Sequence, residues 1–145
     1  MNNRVLIGGI IGGITFFLLG YLMYGMAFRD ILEANTMNGV SRGEDEMQWA
    51  FLIIGNLTFG FLIAYILHKA NAVGFSAGAT VAGIVGLLFG IATNFSSYGT
   101  TNYYSGMTGV FVDIIIITVM CAMVGGVIGW WFGRDRTTVV TTARA

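Results

Sequence analysis

The sequence predicts an all-α integral membrane protein, a four-helix bundle of two helical hairpins with both termini in the cytoplasm. Three observations lead there. First, 56% of the 145 residues are hydrophobic and only 10% are charged, with a mean hydropathy of +0.78. A soluble domain averages about 25% charged residues, so this many cannot cover a water-facing surface. Second, the ionisable residues fall within 29–46, 68–69 and 134–144, apart from Arg4 and Asp113. Third, the apolar runs between these clusters reach the roughly 20 residues that a helix needs to cross a bilayer. They lack the period-two alternation of a membrane strand, and four segments cannot close a barrel, which leaves helices.

The first span is expected at 5–28, VLIGGIIGGITFFLLGYLMYGMAF. Its apolar stretch exceeds the 7–15 residues of a signal-peptide core, so it reads as a span although GMA at 25–27 resembles a cleavage point. The segment RDILEAN then extends this helix or lies along the interface, and MNG at 37–39 marks a turn. The acidic run Glu44-Asp45-Glu46 precedes the second span, 48–67, where negative charge matches the positive end of a helix dipole. The third span is expected at 75–95 and the fourth at 110–132. The polar tail 134–145 is expected to fray. Proline is absent, so no proline kink is expected in any span.

Lys and Arg set the orientation. Arg4, Lys69, Arg134, Arg136 and Arg144 lie on one side, and only Arg29 and Arg42 on the other, which places both termini in the cytoplasm. Trp49, Trp130, Trp131 and Tyr24 fall near span ends, as an aromatic belt requires. Small residues let membrane helices approach closely. Gly9 and Gly13 in the first span, Gly60 in the second, Gly86 and Gly90 in the third, and Gly125 and Gly129 in the fourth supply such faces.

The candidates for chemistry are few. There is no GxGxxG, phosphate-loop, CxxC or HExxH pattern, and the single His68 forms no cluster, so no metal site and no cofactor are expected. The formal net charge of zero gives no reason to expect a nucleic-acid partner. Cys121 in an apolar run reads as a small buried hydrophobe. Asp113 stands out, because an ionisable group within a span is costly and often functional. It reads either as a first-turn acid of the last helix, stabilised by free N–H groups, or as a ligand or partner contact. Asn56, mid-span in the second helix, needs a hydrogen-bond partner. Asn94, Asn102 and Tyr103 fall within the stretch NFSSYGTTNYYSGMTGVFVD at 94–113, which carries no charge before Asp113. Its tyrosines suit the headgroup level.

Three stretches resemble one family. FFLLGYLMYGMAFRD at 16–30 is similar to a Leu-Gly-x-x-x-Tyr segment, and the third span shares its glycine spacing. TNYYSGMTGVFVDIIIITVMCAMVGGVIGWW at 101–131 is similar to an Asn-Tyr pair, an Asp opening the last helix, and a closing Trp. These resemble the bacterial four-helix membrane family called the seventeen-sixty-one domain of unknown function. Its usual Trp-Tyr stands here as Met23-Tyr24, and its prolines are absent. The resemblance implies a bacterial inner-membrane protein and brings no activity.

The expectation is therefore a non-enzymatic protein whose partners are the lipid bilayer and either a second copy or another membrane protein. An accessory subunit or homo-oligomer packed through glycine faces comes first. A small transporter or channel-like protein, with a site near Asp113, Asn56 and Asn94, is the alternative.

Overall fold

The computed structural model describes residues 3–142, apart from the side chains of Glu44 and of 135–142. Among the described residues there are five α-helices: α1 Asn3–Leu22, α2 Arg29–Ala34, α3 Trp49–Lys69, α4 Phe75–Thr100 and α5 Met107–Thr142. Four stretches are long and apolar enough to cross a membrane: Asn3–Ala27, Trp49–Lys69, Phe75–Thr100 and Met107–Arg134. Each keeps large apolar side chains on its outer surface, such as Leu18, Phe51, Leu88 and Ile115. In water these would be a liability; against acyl chains they need no cover.

Helix α1 lies along α3 and α4 along α5, and the two pairs join chiefly through α1 and α5. Glycine sets both close approaches. A Cβ built on Gly60 of α3 would stand 2.7 Å from Gly13 Cα and 2.6 Å from Gly9 O. One on Gly13 would stand 2.7 Å from Leu57 Cα. In the second pair, a Cβ on Gly129 would meet Gly78 Cα at 3.0 Å, and one on Gly86 would meet Cys121 Cβ at 2.5 Å. Gly125 meets Gly78 and Ala82, and Gly90 meets Ile117. Between the pairs, Ile128 and Phe132 of α5 fill the space over Gly12 and Gly8. The Phe16 and Phe59 rings meet edge-on at 4.9 Å.

Cys121 is fully buried on this seam. Its thiol is expected to stay unlabelled by maleimide in the native protein and to react once dodecyl sulfate opens the bundle. Labelling without detergent denaturation would contradict the α4–α5 packing.

The turn between α3 and α4 is locally determined. Asn71 adopts φ 50, Ala72 N–H donates to Leu67 C=O at 3.0 Å, and Asn71 N–H donates to His68 C=O at 3.3 Å. These bonds satisfy the last carbonyls of α3. Gly74 comes next at φ 95, a conformation that suits glycine, and its N–H reaches Gly129 C=O at 2.8 Å. Arg4 donates to Phe132 C=O at 2.5 Å. The start of α1, the 70–74 turn and the Phe132 level of α5 therefore share one end of the bundle.

Several boundaries differ from the sequence expectation. The proline-free first span is not uniformly α-helical: Met23–Ala27 forms one wide turn, closed by Phe28 N–H to Met23 C=O at 2.9 Å. The acids Glu44–Glu46 form a separate short turn, and α3 has no acid in its first turn. Helix α4 runs five residues past Phe95. Helix α5 starts at Met107 and its backbone continues beyond Phe132 to Thr142. Asp113 thus lies six residues into α5, about 9 Å along its axis, and is not a first-turn acid. The expected fraying of the tail concerns side chains and residues outside those described.

Candidate functional site

At the other end of the bundle, two connections are tied together. Thr36 and Tyr104 form an isolated antiparallel bridge. Met37 N–H donates to Tyr103 C=O at 2.9 Å, and Ser105 N–H to Asn35 C=O at 3.0 Å. Gly109 of α5 makes room for this knot. A Cβ there would stand 2.8 Å from the Tyr104 ring and 3.0 Å from Asn35 Cβ.

Beneath the knot, three elements converge on Asp113. Tyr24, in the wide turn after α1, donates its hydroxyl to Asp113 Oδ1 at 2.8 Å. A wide turn shifts the angular register of the residues beyond it, and such turns often accompany functional positions. Asn94 of α4 donates through Nδ2 to Asp113 Oδ2 at 2.7 Å and to Gly90 C=O at 3.0 Å. Its Oδ1 accepts the Tyr104 hydroxyl. Asn94 is only 5% exposed, and its two amide protons and its oxygen all have partners. A flipped amide would set its oxygen against a carboxylate and a carbonyl, so the network fixes the orientation shown.

Asp113 is half-buried and lines a cavity of about 520 Å³ together with Tyr24, Tyr103 and Tyr104. Arg29, Glu33, Thr36 and Arg42 form other parts of the wall. Arg29 Nε lies 2.8 Å from Glu33 Oε1 one helical turn along α2, an exposed pair worth about 0.3–0.5 kcal/mol. The Tyr103 and Tyr104 rings pack edge-on at 4.8 Å. Burial, followed by the negative charge of Asp113, pushes the Tyr104 phenol above the usual tyrosine range, so near neutrality it remains a donor.

The sequence candidates divide. Asp113 and Asn94 are in direct contact, and Tyr103 lines the same cavity through its 37%-exposed ring. Asn56 is elsewhere. It donates to Leu52 C=O of its own helix at 2.7 Å and lines an adjoining apolar groove rather than the Asp113 cavity. Asn102 is exposed in the 101–106 connection and lines neither cavity. Tyr24 and Tyr104 join this network although the sequence places them only at the headgroup level. The signal available for them is that level: both hydroxyls fall at span ends on the same side of the bundle as Asp113. Among the described residues no three His, Cys, Asp or Glu side chains come together as a metal site.

No family model, no curated protein and no solved structure matches this chain. The chemistry open to the site is therefore set by its geometry. It presents a carboxylate, held by an amide and a phenol, to a space that also contains guanidinium groups.

Tyr104→Phe removes one donor from Asn94 and is expected to cost about 1 kcal/mol in a detergent-unfolding titration. The sign with pH is also set. A phenol whose folded pKa is raised contributes stability below its unfolded value of about 10, and that contribution is lost as pH rises further. Above that point the stability gap between wild type and Tyr104→Phe is expected to narrow.

Proposed function

We propose that this chain is a four-span protein of the bacterial inner membrane, with both termini in the cytoplasm, that binds a small positively charged group at its extracytoplasmic mouth. The orientation rests on the Lys and Arg distribution. The binding role rests on one observation: Asp113, within a membrane-length helix, has both oxygens held by donors while it lines a cavity. An acid placed there only for packing would not need a cavity beside it. A cationic ligand gains charge-assisted bonds in surroundings drier than bulk water.

Binding is proposed rather than catalysis. The carboxylate's immediate partners are an amide and a phenol, and neither takes up a proton at neutral pH. The glycine faces lend less support to an accessory-subunit role, because those faces meet one another within the chain.

A thermal-unfolding series in detergent tests the reading, with ethanolamine, choline and tetramethylammonium as probes. Ligand that binds only the folded state stabilises it, by about 2.7 kcal/mol at a hundred times Kd. At least one probe is expected to raise the wild-type melting temperature and to leave that of Asp113→Asn unchanged. Equal shifts in both proteins, or none in either, would overturn the proposal.

A further inference from the structure

Beside the polar cavity lies an apolar groove of about 720 Å³, walled by Phe16, Trp49, Phe59, Phe89 and Met120. The two spaces share Tyr24, Gly25 and Met47. The groove extends from Phe16 to Gly25 along the first span, and from Met47 to Phe59 along the second. At 1.5 Å per residue, nine residues of helix correspond to about 14 Å. That is close to half of the roughly 30 Å hydrocarbon core, the depth of one leaflet. A polar chamber at headgroup level thus continues into an apolar slot one leaflet deep.

From this continuity we infer that cavity and groove form one site for a phospholipid with an amine headgroup, whose ammonium meets Asp113 while one acyl chain fills the groove. The charges on the wall are complementary to such a headgroup. With Arg29 and Glu33 paired to each other, the polarity of the cavity is set by Asp113 and Arg42. A carboxylate meets the ammonium and a guanidinium meets the phosphate, which Arg binds well. A wholly anionic headgroup would satisfy Arg42 and be repelled by Asp113. The aromatic walls give the chain a preformed apolar surface.

This inference rests on the cation-binding reading of Asp113, and a single variant separates the two. Gly55 lines the groove, and a Cβ built on it meets nothing within 4 Å. Gly55→Trp should therefore fill the slot and leave the Asp113 cavity untouched. Leu52→Trp, on the same wall, is the second variant should the first fold poorly.

The experiment is native mass spectrometry of protein released from bilayers of equal phosphatidylethanolamine and phosphatidylglycerol. Wild type is expected to retain one phosphatidylethanolamine per chain in preference to phosphatidylglycerol. The affinity for lipid should fall about tenfold in Gly55→Trp, a change of 1.4 kcal/mol. The melting shift with soluble amine should survive in that variant. Retention of lipid by both Trp variants, or equal retention of the two lipids by wild type, would overturn the lipid site and leave the cation site standing. Loss of the soluble-amine shift from wild type itself would remove both.

Discussion

Gly60→Leu is expected to unfold at a markedly lower dodecyl sulfate fraction than wild type, with a loss of about 3 kcal/mol or more. The new side chain starts 2.6 Å from Gly9 O and 2.7 Å from Gly13 Cα, and these are backbone atoms that cannot rotate away. Overpacking costs typically 1–3 kcal/mol where side chains can yield. Here α1 and α3 must separate, and contacts are lost along the whole pair. Against this stands the better helix propensity of leucine, worth up to about 1 kcal/mol over glycine. Steric cost therefore wins. Gly55→Ala in the same helix is the internal comparison. It meets nothing within 4 Å, so only the propensity term acts, and it is expected to stabilise by up to about 1 kcal/mol. If the two substitutions behave alike, the glycine-mediated packing of α1 on α3 is wrong.

Asp113→Leu is expected to be the second large loss, about 3 kcal/mol, together with loss of amine binding. The variant removes the acceptor for the Tyr24 hydroxyl and for one amide proton of Asn94. A buried donor left without a partner costs about 1–3 kcal/mol, and the more exposed Tyr24 hydroxyl less. Asn94 is the more costly of the two, because at 5% exposure bulk water cannot replace the lost acceptor. Asp113→Asn keeps the shape but presents one donor to a donor, so a smaller loss is expected. A cycle with Tyr24→Phe tests whether the residues act as a unit. Coupling of about 1 kcal/mol is expected between Asp113→Asn and Tyr24→Phe, and strict additivity would contradict the network.

The four long apolar helices are legible in the sequence because a bilayer-length apolar run has few other uses. Asp113 and Asn94 were legible as polar groups within or beside such runs. The start of α5 was not. Gly106 and Gly109 flank Met107 and read as loop, but the bridge from Thr36 to Tyr104 fixes the preceding connection and the helix begins there. The end of α4 is hidden in the sequence for a related reason. Ser and Thr near Thr100 look like linker chemistry, yet Thr100 and Thr101 donate to the carbonyls of Ser96 and Ser97 at 2.7 and 2.8 Å. A hydroxyl bonded back along its own helix leaves no trace in composition.

Asn56 and Asp113 look alike in the sequence because both are polar residues among apolar ones. It donates to its own Leu52 carbonyl, and nothing in sequence separates that outcome from an interhelical bond. The wide turn at Met23–Ala27 carries no proline or other marker, so the aim of Tyr24 at Asp113 could not be foreseen. The groove arises only when α1, α3, α4 and α5 are assembled, and the cavity only when α2 and the connections after α2 and before α5 close over Asp113.

The most direct test of the Asp113 site is its reach from water. In a Cys121→Ala background, Asp113→Cys and Asn56→Cys are each treated with a positively charged methanethiosulfonate reagent, in membrane fragments open on both sides. The cysteine at 113 is expected to be modified and the one at 56, in the apolar groove, to resist. If position 113 reacts only with a membrane-permeant maleimide while the charged reagent leaves it intact, Asp113 faces no aqueous cavity and the proposed site does not exist.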